Sequence, residues 1–223
     1  MNKYEIVKKI EDFAPIETQE TWDASGWIID LPESEVTKVL FALTITEDVF
    51  EQALKNGCNM IISHHPMFFV PFKYKNVNIY CAHTNLDKAK GGTTDFLVKS
   101  IHYEGKYYND FVRIVDLENE MSVEFLKLKL LPLSPRLRIV NNKKIKTIKK
   151  IGFCAGSGSE FIKETPCDAF VTGDLKYHCA VETDKVVFDI GHFESEIMTV
   201  KLLKEITGIG DKGIIAYEES PFN

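Results

Sequence analysis

The 223-residue sequence has five cysteines, Cys58, Cys81, Cys154, Cys167 and Cys179, but no two of them form a Cys-x-x-Cys pair. An odd count without that spacing argues against both a disulfide framework and a zinc ribbon, and thiols lying in apolar runs read as small buried side chains. No stretch approaches the ~18 apolar residues that a membrane span requires. The opening MNKYEIVKKIEDFAP carries Glu5, Glu11 and Asp12 and no apolar block of the signal-peptide kind. An excess of positive charge is missing too. Lys and Arg number 27 against 33 Asp and Glu, a net charge of −6, so the chain lacks the broad basic footprint that grips a nucleic-acid backbone. The one basic run, NNKKIKTIKK from Asn141 to Lys150, reads as a solvated loop entering a strand. These absences leave a soluble, reduced, cytoplasmic chain, with neither membrane nor nucleic acid expected as a partner.

Hydrophobic residues make up 44% and charged residues 27%, an ordinary globular balance with length enough for a substantial core. Apolar positions Tyr4, Ile6, Val7, Ile10 and Phe13 have helical spacing, ended by Ala14-Pro15. KVLFALTIT (38–46) reads as a buried strand, and EDVFEQALKNG as an amphipathic helix closed by Gly57. CNMIIS and NIYCAHT are further strands, and GGTTDFLVKSI a helix. Polar and aromatic residues around Tyr103–Asp110 suggest a boundary. Beyond it, MSVEFLKLKL reads as a helix, KTIKKIGFCAG as a strand, SGSEFIKE as a helix, DAFVTG as a strand, DLKYHCAVE as a short helix and KVVFDIG as a strand. HFESEIMTVKLLKEITG reads as one long helix and GIIAYEE as a closing strand. Alternating strands and helices predict an α/β fold with largely parallel central sheets. The pattern occurs twice, from Lys38 and from Lys146, and so predicts two linked α/β domains of similar build: 1–102 with 185–223, and 103–184.

The ends of the strands are unusually polar: SHHP, AHTNLD, AGSGS, TGD and DIGHFESE. Open α/β sheets bind ligands there. His64 and His65 are adjacent, so in a plain extended chain they would point to opposite sides; serving one site requires a backbone turn or two neighbouring ions. The alternative is one buried histidine bonded to backbone and one exposed. His192 and Glu196 stand at i and i+4 of a helix, on one face, and can grip an ion; equally they can be ordinary residues of a first helical turn. Asp87 can bridge two cations or cap a turn. His83 can orient a ligand or substrate, or be a satisfied core histidine. Together the three fragments offer three imidazoles and two carboxylates without a thiolate. That inventory suits a two-metal site for Zn, Mn, Fe, Co or Ni better than a structural tetrahedral zinc.

The motifs NMIISHHPMFF, AHTNLD, TGDLKYH and DIGHFESE, in that order, resemble the Nif-three-like dinuclear metal-binding family, whose members often carry the name GTP cyclohydrolase 1 type 2 homologue. WDASGW (22–27) is similar to its Trp-Asp-Asn-x-Gly-Leu signature and FCAGSGSEF to its glycine-rich loop, and the likeness spans nearly the whole chain. It implies two divalent metal ions per subunit, held by His64, His65, Asp87, His192 and Glu196. It also implies a toroidal homohexamer with the metal sites facing an internal cavity, without the inserted middle domain of longer members. The implied activity is a metal-dependent hydrolysis of a nucleotide such as GTP, in which water activated by the metals opens the guanine imidazole ring. His178 or His83 would transfer the proton, while His178 also fits a surface or capping role. AGSGS can cradle a phosphate or be a plain turn. Ala24, Trp27 and Ala155 depart from the family's Asn, Leu and Gly, none of them at an implied metal ligand. The alternative function is a non-catalytic metal-binding protein that senses or buffers a metal or serves as an interaction platform.

Overall fold

The computed structural model describes residues 1–222. The chain divides into two compact units: Met1–Gly92 with the C-terminal stretch from Thr199, and Thr93–Met198. The first unit runs α1 (Lys3–Phe13), β1 (Gly26–Ile29), β2 (Val39–Ala42), α2 (Glu47–Lys55), β3 (Met60–Ser63), β4 (Asn78–Cys81) and α3 (Thr84–Lys88). The second holds α4 (Thr93–Ser100), β5 (Lys106–Tyr107), β6 (Arg113–Ser122), α5 (Val123–Leu130), β7 (Arg138–Val140), β8 (Thr147–Ser157), β9 (Ala169–Gly173), α6 (Tyr177–Glu182), β10 (Val186–Asp189) and α7 (His192–Glu196). The chain then returns to the first unit as α8 (Thr199–Thr207) and β11 (Gly213–Ile215).

The first unit's sheet has the order β1-β4-β3-β2-β11. Its pairings are parallel except β1 with β4. The central strands are buried along their whole length, VLFA, MIIS and NIYC, as a sheet covered on both faces demands. On one face Val49, Phe50 and Ala53 of α2 pack on Leu40, Ile61 and Ile79. Elsewhere in the unit α1 packs on α8, and α8 on β2. Local signals set the helices: Asn2 caps α1 by accepting from the Tyr4 N–H, and Thr46 caps α2 by accepting from that of Val49.

The second unit's sheet, β5-β6-β8-β9-β10-β7, is parallel only along β8-β9-β10; its other pairings are antiparallel. Alternate residues face opposite sides. Ile151, Phe153, Ala169, Val171, Val186 and Phe188 meet Leu97 and Val98 of α4 and Leu126 and Leu130 of α5. Phe170, Val187 and Cys154 pack into a second cluster with Val112 and Ile162.

Two linked α/β units are present as expected, with the boundaries displaced. Segments 93–102 and 185–198, read into the first domain, belong to the second unit. The reason is tertiary: α4 packs on β8, and β10 hydrogen-bonds to β9 in the second sheet. The single long helix expected from His192 is two, α7 and α8, divided where the chain passes between the units. SGSEFIKE forms only a 3-10 turn at Ser159–Phe161. Strand β6 was not legible, because DLENEM is acidic and poor in β-branched residues; its pairing with β8 decides its conformation.

Candidate metal centre

In the first unit, three histidines collect at the carboxyl ends of β3 and β4. The ring centroids of His64 and His65 lie 5.1 Å apart, and that of His83 lies 5.2 Å from His64 and 5.7 Å from His65. The backbone therefore does turn after Ser63: its hydroxyl donates to the His65 carbonyl (2.9 Å), and the His64 and His65 amides bond to the Ala42 and Leu43 carbonyls. Each of the three offers a ring nitrogen, all within 4.8 Å of one another, a cluster that could hold a metal ion. Asp87, on α3, brings its Oδ1 to 3.5 Å from His64 Nε2.

The other ring nitrogens reveal how these imidazoles are set. His64, fully buried, has Nδ1 2.9 Å from the Ala82 carbonyl. A carbonyl only accepts, so Nδ1 carries the hydrogen, and in the neutral ring Nε2 keeps its lone pair. His83 Nδ1 lies 2.8 Å from Asp23 Oδ1, and the same logic holds against a carboxylate. Asp23 is itself fixed: its side chain is buried and accepts from Ser25 Oγ (2.7 Å), Thr84 Oγ1 (2.6 Å) and the Thr84 amide (3.0 Å). Burial pushes the Asp23 carboxyl up, but the bonds from His83, Thr84 and Ser25 outweigh it and hold the group well below the usual carboxylate range. His65 Nδ1 lies 2.6 Å from Thr44 Oγ1. The loop bearing Thr44 is braced by Glu218, which accepts from the Leu43 and Thr44 amides at 2.6 and 3.0 Å.

In the second unit, α7 begins with His192 and ends with the buried Glu196, and His192 Nε2 meets Glu196 Oε2 at 2.9 Å. His192 Nδ1 lies 2.6 Å from Asp174 Oδ2. The hydrogen bond that His192 Nε2 donates to Glu196 is the main cause pushing the imidazole up to about 9; burial opposes the shift and Asp174 adds to it. Two carboxylates around one ring favour a positive charge there, whether a proton on Nε2 or a divalent cation in its place. Gly156 makes room for this arrangement. Its φ is +66°, and a Cβ at that position would fall 2.2 Å from Glu196 Oε1 and 3.6 Å from His192 Nε2.

Not every candidate joins these sets. His178 is exposed on α6 with its ring edge-on to Tyr177, and it belongs to none of the potential ligand clusters among the described residues. The AGSGS segment has committed amides: Gly156 N–H donates to Ser195 Oγ and Gly158 N–H to Thr172 Oγ1, both at 2.9 Å. That is a turn held by side chains, with those two amides spent rather than turned to a phosphate. Sequence reasoning missed Asp23, Thr44, Asp174 and Glu218, which bind histidines or brace the loop beneath one. The only available signal was the presence of carboxylates in WDASGW and TGD, and nothing local says that either would find an imidazole.

The ligand types, imidazole and carboxylate, are those of a transition-metal centre. Cys81, the thiol nearest in sequence to His83, is turned away, donating to the His64 carbonyl at 3.0 Å. Fold and donor set thus define a two-unit α/β protein with residue clusters that could hold metal. The Duf34/NIF3 (NGG1p interacting factor 3) family model matches residues 1–211, and the chain belongs to that family. It is 31% identical to a GTP cyclohydrolase 1 type 2 homolog of Campylobacter jejuni over 100% of this chain and 99% of that one. It is 32% identical to another protein of that name from Clostridium perfringens, over 88% and 87% of the two chains. The structure of reduced HcgD from Methanocaldococcus jannaschii aligns with a TM-score of 0.82 at 26% identity, covering 96% of each chain.

Proposed function

We propose that this protein holds two divalent transition-metal ions and hydrolyses a nucleotide such as GTP. His64, His65 and Asp87 are the proposed ligands from the first unit, and His192 and Glu196 those from the second. The observation that carries the reading is the treatment of the imidazoles: His64, His83 and His192 each present Nδ1 to an acceptor-only oxygen. Backing one ring nitrogen in this way orients a histidine to ligate through the other. The names of the relatives from C. jejuni and C. perfringens support a nucleotide as substrate.

Bound divalent ions supply Lewis acidity and lower the pKa of coordinated water toward neutrality. The chain's own groups do the rest. Asp23 and Asp174 hold the rings of His83 and His192 in one orientation. In this reading His83, which could also hold an ion with His64 and His65, is left as the candidate to move a proton at Nε2. His178, on the surface, is the second candidate for that role.

The second reading, a metal-binding protein that acts through protein contacts, draws on the family's description as an interacting factor. The resemblance also carries a toroidal homohexamer, which mass photometry would test. The primary test is metal content by mass spectrometry, on protein purified without chelator or histidine tag, beside His65→Ala and Glu196→Ala. About two ions per chain, lost in both variants, is the expected result. Wild-type protein that stays empty after incubation with Zn, Mn, Fe, Co and Ni would sink the dinuclear reading. Metal-loaded protein that leaves GTP intact would favour the interaction reading.

A further inference from the structure

The two tryptophans are treated in opposite ways. Trp27 packs edge-on between Tyr4 (5.8 Å between centroids) and Tyr80 (5.3 Å). Trp22 stands 63% exposed. A large apolar ring is highly buried on average, so an exposed one needs a reason, and looseness of the chain does not supply it. The Asp23 amide bonds to the Glu20 carbonyl (3.0 Å), the Glu20 amide to Thr84 Oγ1 (2.9 Å), and the Ser25 amide to Gln19 Oε1 (3.1 Å). The Glu20 carboxylate pairs with Lys88 at 2.6 Å, and Asp23 is buried in the bonds described above. The turn carrying Trp22 is pinned on both sides of the ring.

That ring also lies against a histidine of the site. Trp22 meets His83 at 6.2 Å between centroids and 76° between planes, so it borders the cluster of His64, His65 and His83. Other exposed aromatics, such as Phe68, Phe69 and Phe72, have no such contact with a site histidine among the described residues. A rigid, exposed indole beside these imidazoles offers a larger and more apolar flat face than the histidines themselves do. Planar heteroaromatic rings stack on such faces, largely without regard to which base they are.

We infer that Trp22 is the stacking platform for the base of a nucleotide substrate, held there by the Asp23 turn. This rests on the nucleotide reading above and deepens it: the base, rather than the phosphate chain, would lie next to His83. Trp22 would therefore govern affinity for the base and leave affinity for a bare polyphosphate untouched.

The test uses the full, metal-loaded chain and two probes, GTP and inorganic tripolyphosphate. In a Trp27→Phe variant Trp22 is the sole tryptophan, and its emission should be quenched saturably by GTP but not by tripolyphosphate. By calorimetry Trp22→Ala should weaken GTP binding about tenfold or more, with Trp22→Phe intermediate because a phenyl ring still stacks. Tripolyphosphate affinity should stay unchanged in both, which also shows that the site is still folded. GTP binding that leaves Trp22 emission unchanged, or that survives Trp22→Ala at full strength, overturns the inference while sparing the nucleotide reading. Absence of any GTP binding overturns both. Emission that shifts with protein concentration alone, and no further with GTP, assigns the ring to contact with a second copy instead and likewise overturns it.

Discussion

Replacing Gly156 by alanine tests the proposed metal centre separately from backbone strain. Two costs can be read from the structure. At a φ of +66° a non-glycine residue is strained by about 1–2 kcal/mol. The added Cβ would also stand 2.2 Å from Glu196 Oε1, so the carboxylate must retreat by about 1 Å or more to reach ordinary contact. Because it is the far end of a side chain the backbone need not move, but the retreat disturbs the buried His192–Glu196 pair and far exceeds the ~0.2 Å tolerance of a metal–ligand bond. Gly57→Ala is the matched control: its φ is +69° and nothing lies within 4 Å of the new Cβ. Both variants should lose about 1–2 kcal/mol from backbone strain in urea denaturation of the metal-free protein, with a Tm lower by roughly 2–8 °C, and Gly156→Ala should lose more because it also disturbs the His192–Glu196 pair. Only Gly156→Ala should lose metal, with affinity down at least about tenfold in a chelator competition. Wild-type metal affinity in Gly156→Ala would refute the assignment of Glu196. Equal metal loss in Gly57→Ala would show that backbone strain, not the carboxylate, is responsible.

Asp174→Asn keeps a residue tolerant of the left-handed φ of 48° found there but removes the charge behind His192; metal affinity should fall about 10- to 100-fold by chelator competition, with the melting temperature little changed. In the metal-free protein His192 has a folded pKa of about 9, above its unfolded value of about 6.5. Its stabilising contribution is complete below pH 6.5 and fades as pH rises through 9, so urea midpoints measured from pH 6 to 9.5 should decline, and less steeply in Glu196→Gln. Asp23→Ala should destabilise the first unit by about 2–4 kcal/mol, because it strands the donors of Thr84, Ser25 and His83 in a buried pocket; Asp23→Asn, which still accepts, should cost clearly less by the same denaturation assay.

Much of the candidate site was legible in one dimension because the residues that could ligate a metal fall in short, local words. HHP after an apolar run places two imidazoles at a strand end, and HFESE places His192 and Glu196 one helical turn apart; both follow from strand and helix periodicity alone. The buried strands VLFA, MIIS and NIYC were legible for the same reason, since a strand covered on both faces must be apolar throughout. Tertiary structure alone decided what lies far apart in the chain, from 18 residues between Asp174 and His192 to 175 between Leu43 and Glu218. Strand β6 exists because β8 pairs with it, against its own acidic composition. The helix that hydrophobic spacing draws as continuous breaks into α7 and α8 where the chain leaves one unit for the other. Asp23 finds His83 across 60 residues, and Asp174 finds His192 across 18. A carboxylate in a turn looks the same in sequence whether it faces water or an imidazole, and only the packing of the surrounding chain determines which. The sequence by itself therefore determined which side chains could bind a metal, and the fold decided which oxygen stands behind each ring.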